Sequence, residues 1–461
     1  MRGDGEILLV STYELGHQPL NLASPLAYLA RAGYRPVAVD TAVEELADEV
    51  IARARLVAIS VPMHTALRLG VAIAARVRAV NPAAHVCCYG LYAALNADYL
   101  LDGRADAVIG GEYEQPLLDL AARLEAGDDA PPSVGTRARR AAPHLARLSF
   151  AVPAREALPP LRRYAALERD GAVVPAGYVE ASRGCLHTCL HCPITPVYGG
   201  RFFVVPRAVV LADIAAQVAA GARHITFGDP DFLNGPGHVL RILREMRAAW
   251  PDLTFDATIK IEHILEQRRL FPELAALGCA FVVSAVESLS DEVLRRLDKG
   301  HTRADVVEAL DILDAAGIPM RPSLLPFTPW TTLDDYLDLL DFFAARDLLD
   351  HVDPVHFSIR LLVPPGSALL DQPDTATWLG PLDAANFTHT WRHPDPRVDD
   401  LQRAVAATVE AAERDGADPV ETFAAIEALA HTARGALAPR RRGGVLTARG
   451  RVPRLTESWF C

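Results

Sequence analysis

Residues 184–192 read Gly-Cys-Leu-His-Thr-Cys-Leu-His-Cys, and no other stretch constrains the chain as tightly. Cys185, Cys189 and Cys192 follow an apolar run, residues 177–182, that reads as a strand. Soft thiolates at this spacing, in a chain without a disulfide pattern, point to a metal centre. Two closures are open. A zinc knuckle would recruit His187 or His191 as a fourth ligand, as structural zinc sites close with four. An iron–sulfur cubane held by three cysteines would instead keep one iron open for a small molecule.

Cys185-x3-Cys189-x2-Cys192 after a strand, with strands and helices alternating beyond it, resembles the radical S-adenosylmethionine (SAM) enzymes. The resemblance implies a [4Fe-4S] cluster on the three cysteines and SAM chelating the fourth iron. It implies reductive cleavage of SAM, normally to a 5′-deoxyadenosyl radical, and an electron donor such as flavodoxin or ferredoxin. His191 stands where the family usually has an aromatic residue, and a planar ring is a tolerable replacement.

Six strand candidates follow, at 177–182, 223–228, 253–260, 280–287, 319–326 and 354–362, with helical patterns between them. They predict a partial (β/α)6 barrel over residues 171–385, with its site at the C-terminal strand ends. The matches at those ends carry the remaining assignments implied by the resemblance. Gly228 and Asp229 would meet the SAM amino group, and Lys260 a carboxylate of SAM or substrate. Ser284 and Glu287 would meet the ribose, and Arg321 leads into the loop beside the adenine. Lys299, one of only two lysines, has no role that the pattern specifies.

Upstream, short apolar runs at 7–10, 36–39, 56–60, 85–88 and 107–109 alternate with helical patterns. They predict a doubly wound, flavodoxin-like parallel sheet within residues 1–130. Its order, and Gly110-Gly-Glu-Tyr-Glu114 after the last strand, resemble the cobalamin-binding domain of one radical SAM class. No Asp-x-His-x-x-Gly occurs, so a histidine ligand to cobalt is not supported; His17 and His64 are the histidines near strand ends. Residues 131–170 read as a proline-punctuated linker and 386–461 as a mainly helical end.

The net charge of −12 argues against broad contact with nucleic acid. No run of eighteen apolar residues predicts a membrane span, and seven cysteines, three of them clustered, suit a cytoplasmic protein. Cys87, Cys88 and Cys279 lie in apolar runs and read as small core hydrophobes.

The expected activity is transfer of a SAM-derived carbon group, or functionalisation of a small molecule, in one version as cobalamin-assisted methylation. A second version joins an aminocarboxypropyl group to trivalent arsenic, motivated by the soft terminal thiol of Cys461. A non-catalytic iron–sulfur or zinc sensor needs only the three cysteines and leaves the strand-end matches without a purpose.

The ending Trp459-Phe-Cys461 resembles a subgroup whose tails read Cys-Cys-Ala-Glu-Pro, or the same with selenocysteine second. The expectation is that the natural chain continues through a UGA codon. Sequencing the downstream codons should show UGA followed in frame by Ala-Glu-Pro; any other stop overturns it.

Overall fold

A computed structural model describes residues 1–436 and 452–457, so Arg440–Gly444 and Cys461 lie outside the described residues. The N-terminal strands are β1 (Ile7–Ser11), β2 (Val37–Asp40), β3 (Leu56–Ser60), β4 (His85–Tyr89), β5 (Ala107–Ile109) and β6 (Gly135–Thr136). They form one sheet in the order β2-β1-β3-β4-β5-β6, parallel except for β6. Alternate residues of each strand enter different cores: Leu8, Val10, Val57 and Ile59 on one face, Ile7, Leu9, Leu56 and Ala58 on the other. Burial of both faces is why the strands read as unbroken apolar runs.

The linker is more ordered than expected. Ala151, Leu158 and Leu161 are buried, and Arg155 forms a buried ion pair with Asp213 while donating to Gln18 O and Tyr178 O. One guanidinium thus binds the first sheet, the second sheet and the helix Arg207–Ala219. The Arg137–Arg140 run does lie on the surface.

The second sheet begins within that linker, with the hairpin β7 (Ala166–Arg169) and β8 (Ala172–Val179). Next come β9 (Ser182–Gly184) and β10 (Phe202–Val204), a separate antiparallel ribbon. β11 (His224–Phe227), β12 (Thr254–Thr258), β13 (Cys279–Glu287) and β14 (Met320–Leu324) then extend from β8 in parallel. A hairpin, β15 (Leu379–Asp383) with β16 (Thr388–Trp391), follows, and β17 (Arg454–Leu455) caps the far edge beside β7.

The expected sixth barrel strand is reduced to one parallel bridge, Phe327 to Arg360, after a 3-10 turn at Pro354–Phe357. Pro354 lacks the N–H that a ladder needs. Instead the helices Pro396–Asp415 and Pro419–Arg434 cover this side, placing Val405, Val409, Phe423 and Ile426 in the barrel core. The result is a curled half-barrel.

The C-terminal strand ends of the two sheets face each other. Arg183, in β9, reaches Glu114 at 2.7 Å and Glu112 at 3.2 Å, both on the turn after β5. Tyr198 donates to Glu112 at 3.0 Å, and Glu180 completes the cluster at 2.9 Å from Arg183. Burial pushes Glu112 up to about 6 against the pull of Arg183.

Nearby, burial pushes the Glu14 carboxyl up to about 8, the Asn21 N–H opposing it and Asp40 adding to it. A carboxyl raised in the fold stabilises most below its unfolded value of 4.5, and that stability is lost as pH rises toward 8. His17, depressed to about 4 by burial, acts oppositely and only below its ordinary 6.5. Thermal melts of the metal-free protein should therefore fall from pH 6.5 to 8.5, by up to about 1.4 kcal/mol per pH unit for Glu14. Glu14→Gln should flatten that slope; an unchanged slope would show that Glu14 is solvated.

Candidate active site at the cysteine loop

The ribbon of β9 and β10 closes the base of the loop that carries the cysteines. Gly184 turns into it with φ +75°, where a Cβ would strike Arg201 O and the Tyr198 ring. Cys189 is buried, and Cys185 and Cys192 are partly covered. Burial, then the neighbouring Cys189 and Cys185, push the Cys192 thiol up to about 11. A metal centre on these thiols would displace their protons.

The loop is held by its own turn and by contacts beyond β11 and at the end of β13. Cys192 N–H and Thr195 Oγ1 donate to Cys189 O, and Leu190 N–H donates to Leu297 O. Leu186 N–H donates to Asn234 Oδ1 after β11. His191, between two cysteines, lies 3.2 Å from Glu287 Oε1 at the end of β13, and Lys299 Nζ donates to the same oxygen at 3.2 Å. Burial would raise Glu287, but Lys299 and His191 hold it at about 2. Its φ of +62° is costly for a residue with a Cβ, by roughly 1–2 kcal/mol, and the two partners keep it there.

Lys299 is the residue that the sequence pattern left without a role. Burial works against its charge, yet Glu287 and then Cys189 raise its pKa, so a cation stands beside the thiols. The signal was available: this chain has only two lysines, and both lie at this site.

The other expected site residues divide. Gly228 follows β11, and a Cβ there would overlap the Tyr178 ring, so only glycine lets the strand end pass. Asp229 is buried beneath the loop, accepting from Ala181 N–H at 2.9 Å and Ser182 Oγ at 2.6 Å. Burial pushes it up to about 7 despite those bonds. Lys260 is buried, pairs with Glu262 and lies 3.1 Å from His187 Nδ1.

Ser284 and Arg321 do not join this group. Ser284 is fully buried and its hydroxyl donates to Ile259 O, tying β13 to the end of β12. Arg321 pairs with Asp353 at 2.7 Å and lines a small cavity with His351 and His356. Strand alternation explains both misses: a polar residue near a strand end can point into the sheet's packing rather than toward the rim.

Residues 179–343 match the radical SAM superfamily. This part of the chain is a radical SAM domain. It makes the chain an enzyme, and its fold implies the [4Fe-4S] cluster and SAM. The ribosomal protein uS12 methylthiotransferase RimO of Geobacter sulfurreducens is 27% identical over 178 residues, 36% of this chain and 39% of the relative. The matched segment thus spans about two fifths of that relative's length.

The fold of the whole chain is similar to two solved structures. The radical SAM methyltransferase TsrM of Kitasatospora setae, with cobalamin and [4Fe-4S] cluster bound, superposes with TM-score 0.68 at 16% identity. That match covers 94% of this chain and all of TsrM. The cobalamin-dependent SAM radical enzyme OxsB with aqua-cobalamin bound gives 0.70 at 14% identity, covering 89% of this chain and 67% of OxsB.

Cys185→Ala, Cys189→Ala or Cys192→Ala should each abolish the broad visible absorbance of the reconstituted protein, whereas Cys279→Ala should retain it. Lys299→Met should keep the absorbance but lower the cluster's reduction potential, because a nearby cation favours the added electron. An unchanged potential in an EPR-monitored titration would place Lys299 away from the cluster.

Proposed function

We propose that the enzyme transfers a methyl group from SAM to a small-molecule substrate, with cobalamin held between the two sheets. The observation that carries this reading is the cavity between the facing strand ends, of about 170 Å³. Glu14, His17, Met63 and Gly90 line it from the first sheet; Arg183, Gly184, Tyr198 and Gly228 line it from the cysteine-loop side. A second cavity of about 590 Å³ lies at the ends of β1 and β2, against Ala72 and Ile73. Doubly wound sheets bind ligands at this edge, and both structural neighbours hold cobalamin.

The residues fit such a group without a protein ligand to cobalt. His64 Nε2 bonds Asn386 O at 2.7 Å, and the His17 ring packs against the Tyr178 ring, tilted, with centroids 4.7 Å apart. Cobalamin would supply a methyl carrier, and the cluster would supply an electron. The chain's own part is positioning. Gly228 and Asp229 offer backbone and carboxylate acceptors for the SAM amino group, and Lys260 a cation for a carboxylate. Glu287 offers its second oxygen to the ribose. Charge-assisted bonds of this kind contribute about 1.5–3 kcal/mol each.

The test is the fate of SAM in protein reconstituted with cluster and hydroxocobalamin and reduced with dithionite. Methyl transfer with radical cleavage yields S-adenosylhomocysteine and 5′-deoxyadenosine, and cobalamin should remain bound through gel filtration. Release of 5′-methylthioadenosine without retained cobalamin would overturn the proposal and select aminocarboxypropyl transfer, the reaction an arsenic acceptor would need. Asp229→Asn should weaken SAM binding about ten- to a hundred-fold.

A further inference from the structure

Beside the cysteines, three further donor atoms converge that the radical SAM chemistry does not require. His187 Nε2, Asp231 Oδ2 and His263 Nδ1 lie within 4.8 Å of one another. They come from the cysteine loop, the segment after β11 and the short helix Ile261–Glu266 after β12. Asp231 Oδ2 is 2.6 Å from His263 Nδ1 and 3.3 Å from His187 Nε2. Yet all three atoms are buried, and none makes a hydrogen bond of acceptable geometry. His263 Nδ1 and Asp231 Oδ2 stand at ion-pair distance, a contact that a bound ion would replace. Ligands bound about 2.0–2.2 Å from one ion sit roughly 3 Å apart, close to these separations.

The surroundings orient the set as metal sites require. Asp231 Oδ1 accepts from the N–H groups of Leu233 and Lys260, which turns Oδ2 inward. His187 Nδ1 faces Glu262 Oε2 at 3.5 Å, and His263 Nε2 faces Glu266 Oε2 at 3.9 Å. His187 Nδ1 also lies 3.1 Å from Lys260 Nζ, so its acceptor nitrogen faces that ammonium and its Nε2 faces Asp231. Asp231 is almost fully buried, so its charge needs a positive partner, which protonated histidines or a bound ion would supply.

We propose that His187, Asp231 and His263 bind one divalent transition-metal ion of the Fe²⁺ or Zn²⁺ class beside the cluster. Two imidazoles and one carboxylate suit these borderline ions and leave coordination positions open. Those positions take oxygen or nitrogen donors, so the ion can seat a polar substrate group next to the cysteine loop. The site rests on its own donor atoms and is independent of whether cobalamin binds.

The test removes the cluster first. Cys185→Ala/Cys189→Ala/Cys192→Ala protein, stripped with chelator and titrated with Co²⁺, should bind about one ion per chain with ligand-field absorption in the visible. Adding His263→Ala or Asp231→Asn should weaken that binding by more than about a hundred-fold. Absence of Co²⁺ binding, or binding that survives both substitutions, overturns the site and leaves a His–Asp ion pair. Should the cluster-free variant not fold, the intact chain reports the same quantity. After reconstitution with cluster and Zn²⁺, total metal should exceed sulfide, and His263→Ala should bring the ratio to about one. A ratio of about one in both proteins overturns the proposal.

Discussion

Everything at the site depends on one buried cation. Arg183 stands two residues before the first cysteine and is nearly enclosed by Glu112, Glu114 and Glu180. Desolvating four ionised groups is expensive, and an apolar cluster of the same size would often be as stable. What the charges supply is register. Guanidinium and carboxylates accept few geometries, so the turn after β5 can meet the base of the cysteine loop in only one way. Removing the guanidinium would leave buried carboxylates uncompensated, a cost of about 3–5 kcal/mol. Burial, with Glu114 adding to it, keeps Glu112 elevated even against the pull of Arg183.

From that anchor the loop is fastened outward through its histidines. His191 bonds toward Glu287 and β13, while His187 faces Asp231, Lys260 and Glu262 at the ends of β11 and β12. Residues between the cysteines thus do as much positioning as the cysteines. A cluster held by three thiolates has few protein bonds of its own, so the shell around the loop must fix its orientation. Lys299 adds a cation where thiolates gather negative charge, and Glu287 keeps that cation from being isolated.

Much of this was legible in the sequence because it rests on period and order. Strands buried on both faces are continuous apolar runs, and all five N-terminal runs became strands within a residue or two. The cysteine spacing is a local pattern and points to the candidate site directly. What the pattern missed depends on where a side chain points. Ser284 and Arg321 sit on correctly placed strands, yet face strand packing and Asp353. The sixth strand failed because Pro354 starts a turn and two helices cover that side. The linker reads as polar, and its ordering by Arg155 is a long-range contact that no local pattern carries. His187 was weighed only as an alternative fourth ligand of a zinc knuckle; its convergence with His263 is separated by 76 positions and visible only in three dimensions.

The facing of the two sheets also bears on the size of the substrate. An open barrel rim would admit a macromolecule, and a radical SAM domain alone presents such a rim. Here the first sheet lies across it, locked through Arg183, Tyr198 and Arg155. The helix that begins at His64 meets Asn386 and Phe387 of the hairpin β15–β16 through its first residue, so the first sheet is gripped a second time. The space left between the sheets is a cavity of about 170 Å³. The chain's formal net charge of −12 argues against broad contact with a polyanion. Among the described residues no helix is long and apolar enough to cross a membrane. Burial of the charged groups beside the cysteine loop strengthens their ionic contacts. The same buried charges that fix the register of the two sheets therefore also set how the cysteine loop faces the first sheet.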